Sequence, residues 1–152
     1  MKRLSMILLG LVLLTGSACK KRNQVPESAQ IVFKKTACFG TCPIYQMTIS
    51  GNGLATFEGE RFTEKIGSYT KQFTKAQTQE IFKDLEGYDW ESFEDHYPSQ
   101  VSDLPSVIFE FRFKKTNKRI TVRGEHPATL DVLDNMLSQI AESDGWVSNV
   151  SE

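Results

Sequence analysis

The chain has 152 residues, of which 39% are hydrophobic and 24% are charged. Its 18 basic and 19 acidic side chains give a formal net charge of −1, and removal of the basic leader described below makes the charge more negative. This balance excludes a nucleic-acid partner, because nucleic-acid binding needs a basic surface. The length predicts one domain, large enough to bury a hydrophobic core.

Residues 1–18 are typical of a lipoprotein signal peptide. Lys2 and Arg3 give a basic start, and residues 6–14 form an apolar run that is too short to span a bilayer. Three small residues then precede Cys19. This order resembles the lipobox of bacterial lipoproteins, in which cleavage occurs before the cysteine and the new N-terminus is acylated. The alternatives are an ordinary secreted protein with an unmodified Cys19 and a retained membrane anchor.

Acylation of Cys19 predicts a membrane-anchored protein of the bacterial cell envelope. Two or more acyl chains hold a protein on a membrane effectively permanently. Residues 19–29 are predicted to be a flexible tether, whose basic residues 20–22 either contact anionic headgroups or remain solvated. The expected location is the periplasmic face or the outer membrane, with the membrane itself left open.

The first half of the domain is predicted to be a set of strands. Residues 31–33 are apolar and β-prone, and residues 44–50 alternate between apolar and polar side chains. The turn signal at residues 51–53 predicts a β-hairpin over residues 43–60, and a weaker strand follows at residues 66–73. One face of the strand over residues 44–50 carries Tyr45, Met47 and Ile49.

A helix is predicted after these strands. Thr74 is a typical N-cap, Gln77 completes a capping box, and Gly87 is placed to end the helix. Residues 89–97 are expected to contain a short helical turn, and residues 99–105 a loop. The apolar stripe of the helix comprises Ile81, Phe82 and Leu85.

The second half predicts two more strands and a second helix. Residues 107–113 have a clear period of two, and residues 120–123 are the partner strand. Pro127 suits the first turn of a helix. The residues of the first strand expected to face the core are Val107, Phe109, Phe111 and Phe113, and those of the helix are Leu130, Leu133, Leu137 and Ile140.

This order of elements predicts an α+β fold. Antiparallel hairpins with segregated helices are typical of a two-layer sandwich. We expect a mainly antiparallel sheet of about five to six strands with two helices on one face. The single domain is predicted over residues 30–147, with residues 148–152 as a tail.

Cys38 and Cys42 are separated by three residues, and Gly40 between them lets the backbone fold back. A structural disulfide is the favoured interpretation, because the predicted compartment is oxidising and two cysteines remain once Cys19 is acylated. A bridge closing so short a loop contributes about 2 kcal/mol. The alternatives are a redox-active pair, a metal site completed by His96 and His126, and free or intermolecularly linked thiols.

The segment Cys38-Phe39-Gly40-Thr41-Cys42-Pro43-Ile44-Tyr45 resembles the signature of a bacterial family of unknown function, Cys-Phe-Gly-x-Cys-Pro-x-Tyr. Members of that family are often lipoproteins of the cell envelope. Gly51-x-Gly53 with Glu58-Gly59, and Asp103-Leu104-Pro105, also look like that family. The resemblance covers residues 30–145 and implies no established activity.

Other candidate chemistry is an acidic stretch with one histidine. Paired carboxylates are suited to acid–base catalysis or to cation binding. The spacing of a calcium loop is absent from the sequence, so a solvated loop is predicted. The chain also has no nucleophile elbow, phosphate loop or zinc-protease motif. We therefore assign no catalytic residue, no metal and no cofactor, and lean against an enzyme. The stretch comprises Glu91, Glu94, Asp95, His96 and Asp103.

The function predicted from these features is a membrane-tethered binding module for an envelope protein or polymer. Phe39, Gly40 and Tyr45 form its possible binding loop, because aromatic side chains beside a braced loop suit recognition. A thiol-redox protein using Cys38 and Cys42 is the alternative, and an inhibitor of a periplasmic enzyme that uses the same loop is a third hypothesis. Phe57, Phe62 and Tyr97 are further candidates for partial exposure. For each of these aromatic side chains, as for Phe39 and Tyr45, packing in the core is the favoured alternative.

Overall fold

In the computed structural model, residues 24–149 are described. The predicted signal peptide, Cys19 and the last three residues lie outside this range. The elements in chain order are β1 Gln30–Lys35, β2 Ile44–Ser50, β3 Leu54–Arg61, β4 Gly67–Gln72, α1 Lys75–Glu86, a 3₁₀ turn Trp90–Ser92, β5 His96–Tyr97, β6 Val107–Phe113, β7 Thr116–Val122, α2 Ala128–Glu142 and β8 Val147–Ser148.

The strands form one sheet of eight, in the order β5-β7-β6-β1-β2-β3-β4-β8. All neighbours are antiparallel except β5 and β7. The mixed α+β content with two helices confirms the predicted class, but the expected count of five to six strands is wrong. The two additional strands, β5 and β8, have two residues each and lie at the two edges of the sheet.

The core lies on one face of this sheet. Ile31 and Phe33 of β1 lie opposite Ile49 and Met47 of β2, and all four side chains are buried. On its other side, Phe33 lies opposite Phe109 of β6. Because side chains alternate along a strand, the predicted inward row of β6 is confirmed, with Phe109, Phe111 and Phe113 buried and Val107 partly buried.

Helix α1 begins and ends where the sequence predicts. The Gln77 backbone N–H donates to the Thr74 hydroxyl (3.3 Å), and the Thr74 N–H donates to the Gln77 side-chain oxygen (2.9 Å). This capping box satisfies two amide groups that a helix start leaves unpaired. The ring of Phe82 stacks on the rings of Phe111 and Phe113 in β6, which attaches the helix to the buried face.

Helix α2 crosses the same buried face. Asp134 forms an ion pair with Lys35 at the end of β1 (2.8 Å). The buried residues of the helix are Leu130, Leu133, Leu137 and Ala141. Ala141 is more deeply buried than Ile140, the predicted fourth member of the stripe, which is only partly buried. Within residues 24–149, no helix is long and apolar enough to cross a membrane.

The chain enters the domain beside the turn between β2 and β3. The Gly51 N–H donates to the Ala29 carbonyl (2.8 Å), and the Ala29 N–H donates to the Pro26 carbonyl (2.9 Å). A β-carbon on Gly51 would lie 1.9 Å from the Pro26 oxygen, so this packing requires glycine. The last residues of the predicted tether are therefore fixed to the hairpin.

Candidate functional site

The cysteine loop, residues 36–43, connects β1 to β2 at the end of the sheet opposite to the chain entry. The sulfur atoms of Cys38 and Cys42 lie at disulfide-bonding distance, and their Cα atoms are 5.8 Å apart. This Cα separation is typical of a bridged pair. The two cysteines that the sequence paired are therefore brought together by the fold.

The exposed side chain of this loop is Phe39, with 90% of its surface accessible to solvent. Its backbone is nevertheless held, because the Phe39 N–H donates to the Asp103 carbonyl (3.1 Å). Two further bonds link the loop to the same segment: the Thr36 N–H donates to the Ser106 carbonyl (3.0 Å), and the Ser106 N–H donates to the Thr36 hydroxyl (2.8 Å). A large apolar side chain is thus presented on a fixed backbone.

Residues 99–106, the loop before β6, are held in turn by Arg123, the residue that follows β7. The Arg123 guanidinium donates to the Leu104 carbonyl (3.2 Å) and to the Ser102 carbonyl. Val101 and Leu104 on this loop expose 54% and 38% of their surface. We call the exposed side chains of the two bonded loops, Phe39, Val101 and Leu104, the tip.

The possible binding loop divides into exposed and buried residues. Phe39 and Gly40 are exposed, whereas Tyr45 is only 5% exposed, so Tyr45 packs in the core and contributes no surface to the loop. Its ring stacks on Phe57 (5.0 Å between centroids) and meets the edge of Phe33 (5.8 Å). Burial raises the pKa of Tyr45 to about 12.

The other aromatic residues named as candidates for partial exposure also divide. Phe57 is buried, with 1% of its surface accessible, because its position in β3 faces the core opposite Met47. Phe62 is 50% exposed and Tyr97 is partly exposed. These three residues therefore do not form one surface.

The acidic stretch does not assemble into one site. Asp95 forms an ion pair with Lys118 of β7 (2.7 Å), which lowers the pKa of the Asp95 carboxyl through a hydrogen bond and through charge attraction. Asp103 lies apart from it, in the loop of the tip, where its carbonyl accepts from Phe39. Among residues 24–149, no group of three or more His, Cys, Asp or Glu side chains is placed to hold a metal ion.

His126 precedes α2 and is held by two hydrogen bonds. Its ring nitrogens lie 2.6 Å from the Gly124 carbonyl and 3.0 Å from the Asp131 carboxylate. Burial lowers the pKa of His126, but the bonds to Gly124 and Asp131 outweigh burial and raise the pKa above its ordinary value. The protonated imidazole therefore helps to attach the start of α2 to the loop that precedes it.

The family model described as Domain of unknown function (DUF6438) matches residues 29–141. The chain belongs to this family. The DUF6438 match contains the cysteine loop, the loop of residues 99–106 and all but the last residue of α2, so the tip lies within the part shared with the family. No curated protein and no solved structure matches the chain.

Three residues of this site were missed by sequence reasoning. Val101 and Leu104 lie in a predicted loop, where an exposed apolar side chain carries no periodic signal. Arg123 was placed only at the end of a strand, although it fixes the loop of the tip. One signal in the sequence could have located the tip. The cysteine motif and Asp103-Leu104-Pro105 both belong to the family resemblance, and the tip lies where these two segments meet.

Proposed function

We propose that this chain is a lipid-anchored protein of the bacterial cell envelope that binds another envelope protein through the tip. The observation that carries the proposal is the 90% exposure of Phe39 on a loop closed by Cys38 and Cys42 and bonded to Asp103. Aromatic anchors that are rigid before binding lose little conformational entropy when they enter a partner's pocket. The backbone of Phe39 meets this condition, because its N–H is bonded to Asp103.

The position of the chain entry supports a protein partner for the tip. The segment before β1 is fixed at the turn of residues 51–53, whereas the cysteine loop follows the far end of β1. The six residues of β1 place the two ends about 20 Å apart at the usual rise per residue. The chain that leads to Cys19 joins the domain at the end opposite to the tip, so an anchor at Cys19 leaves the tip accessible to other proteins.

The partner is tested by site-specific cross-linking in the native envelope. A benzophenone analogue of phenylalanine at position 39 is expected to give a discrete protein adduct. The matched control is the same analogue at Val132, an α2 residue that is 59% exposed, and no adduct is expected there. Equal adducts at both positions, or none at position 39, would contradict the proposal.

The anchor is tested separately with a fatty-acid probe. Cys19→Ser is expected to abolish labelling, because Cys19 is the residue that the lipobox pattern marks for acylation. The control is the double variant Cys38→Ser/Cys42→Ser, which should be labelled like the unmodified chain. Labelling of the Cys19→Ser variant would refute acylation at this residue.

A further inference from the structure

The face of the sheet opposite the core is a second surface of this domain. Neither α1 nor α2 covers it, because both helices contribute their buried side chains to the core on the other face. Side chains alternate along a strand, so the residues between the buried ones point away from the core. Val32 of β1 and Ile108 of β6 are examples, since both are partly exposed and lie outside the hydrophobic core. We call this surface the open face.

One row of side chains crosses five neighbouring strands of the open face and consists entirely of β-branched residues. The strand register places Val32 opposite Thr48, and Thr48 opposite Thr56. Thr56 in turn lies opposite Thr70, and Thr70 opposite Val147 of β8. Directly opposite residues share one face of a sheet, and all five side chains are at least partly exposed. At the usual strand spacing this branched row is about 19 Å long.

The rows on either side of the branched row carry mostly longer side chains. At one end, Val32 lies opposite Glu110, which forms an ion pair with Arg119 (2.5 Å). Because the threonine and valine side chains are short, the branched row forms the floor of a shallow trough. The residues that flank it on β1 to β4 are Lys34, Gln46, Glu58 and Ser68 on the side of the tip, and Gln30, Ser50, Leu54 and Gln72 on the side of the chain entry.

The floor of the trough combines apolar and hydrogen-bonding groups at each threonine. A threonine side chain presents a methyl group together with a hydroxyl that both donates and accepts. The Thr70 hydroxyl donates to the Asn149 side-chain oxygen (3.0 Å), which leaves its own oxygen as an acceptor. The amides of Gln30 and Gln46 add further donors and acceptors at the sides. A sugar ring offers the matching groups, because it has apolar C–H faces and hydroxyl groups at its edge.

The charges of the trough favour an uncharged partner. Among the eight flanking side chains, Lys34 is the one base and Glu58 the one acid, so their formal charges cancel. The ion pair of Glu110 and Arg119 at the end of the row is also neutral as a whole. A charged polymer therefore gains no net electrostatic attraction here. Neither the floor nor the flanking rows contain an aromatic residue, the type that most often anchors a protein partner.

We propose that the branched row binds an extended, uncharged polysaccharide, whose sugar rings lie across β8, β4, β3, β2 and β1. The methyl groups of the row contact the C–H faces of the rings, and the hydroxyls of Thr48 and Thr56 exchange hydrogen bonds with the sugar hydroxyls. A row of this length spans several rings, which favours a polymer over a single sugar. This surface is separate from the tip and does not depend on the partner proposed for it.

The test uses cellohexaose and chitohexaose, two linear and uncharged oligosaccharides, as probes. Each is titrated into the purified chain and followed by NMR chemical shifts. At least one of them is expected to shift the methyl signals of Val32, Thr48 and Thr56. Two comparison ligands should bind at least tenfold more weakly: glucose, because it contacts only part of the row, and hexagalacturonate, because its carboxylates gain no attraction in a neutral trough.

Matched variants test the floor of the trough. Thr48→Val/Thr56→Val removes two hydroxyls but keeps the size and the β-branching that suit a strand, and it should weaken binding about five- to tenfold. Thr56→Lys places a long charged side chain in the floor and should abolish binding. The controls are Thr129→Val and Thr129→Lys, which make the same changes at an exposed threonine of α2 and should leave the affinity unchanged.

The proposal fails if neither hexasaccharide at millimolar concentration shifts a signal of the branched row. It also fails if hexagalacturonate or glucose binds as tightly as the better hexasaccharide, or if Thr48→Val/Thr56→Val binds like the unmodified chain. The last comparison is an uncharged extended peptide, N-acetyl-Gly-Thr-Gly-Thr-Gly-amide. Tighter binding of this peptide than of either hexasaccharide would overturn the assignment to a polysaccharide.

Discussion

Replacement of Tyr45 by phenylalanine is expected to stabilise the domain at neutral pH. The substitution keeps the ring contacts with Phe33 and Phe57. It removes a buried hydroxyl that lies near the Ser138 side chain but makes no well-aligned hydrogen bond within the described residues. Leaving such a group unpaired costs about 1–3 kcal/mol, and part of the gain is lost to the small void that remains. We expect the free energy of unfolding to rise by about 1 kcal/mol.

The same variant should remove a loss of stability at alkaline pH. The pKa of Tyr45 rises from 10.0 to about 12 on folding, so the unfolded chain releases this proton first. The stability that this raised pKa contributes to the folded state is fully present below pH 10. It is lost as the pH rises toward 12. At pH 11, midway between the two pKa values, the loss is about 1.4 kcal/mol.

Urea unfolding at pH 8 and pH 11, followed by tryptophan fluorescence, measures both effects. Between these pH values the unmodified chain should lose about 1.4 kcal/mol more stability than Tyr45→Phe. The control is Tyr88→Phe, which removes the hydroxyl of a tyrosine that is only half-buried and should give no comparable gain at pH 8. A Tyr45→Phe variant less stable than the unmodified chain at pH 8 would refute the reasoning, because it would mean that the hydroxyl is bonded.

Three other predictions test the loops and the start of α2. Gly59→Ala should destabilise the domain by about 2–4 kcal/mol in urea unfolding, since its methyl group would meet a backbone carbonyl; a change below about 1 kcal/mol would show that the loop moves easily. Cys38→Ser/Cys42→Ser should lower the free energy of unfolding by about 2 kcal/mol or less and keep the circular dichroism spectrum; global unfolding of this variant would contradict a local role of the bridge. In the unmodified chain, a reduction potential of the Cys38–Cys42 pair above about −250 mV would favour the redox alternative. Asp131→Asn should lower the pKa of His126 in an NMR titration. Because the raised folded pKa contributes stability below the unfolded value of 6.5 and loses it at higher pH, the variant should be destabilised more at pH 5 than at pH 8; equal destabilisation would disprove the link.

The long elements were predictable because each has a repeating pattern or a local end signal. Residues 107–113 alternate, and their inward row packs against α1, as Phe82 shows by stacking on Phe111. The capping box at Thr74 marks the start of α1 through residues that are only three positions apart. The two-residue strands β5 and β8 could not be predicted in this way, because two residues carry no period and their pairing depends on distant segments.

The candidate sites were predictable only where a local motif defined them. The pairing of Cys38 with Cys42 follows from their spacing, but the bond from Phe39 to Asp103 joins residues far apart in the chain. The alternation of Tyr45 with Met47 and Ile49 indicates that its side chain is buried. Its position in the motif around the cysteines instead favoured a residue of the binding loop. The concave surface lined by Phe57, Phe62 and Ala141 joins β3, a loop and α2, and a single sequence does not specify such contacts.

The two-residue strands at the edges of the sheet affect how copies of this protein behave when they are crowded. An edge strand exposes unpaired N–H and C=O groups, to which a second chain can add. Here each outermost strand has only two residues within the range 24–149, and the uncovered half of β7 carries Lys118 and Arg119. Short outer strands and basic side chains on the uncovered part of an edge disfavour pairing of sheets, so molecules concentrated on one membrane by the proposed anchor should remain separate rather than join their sheets.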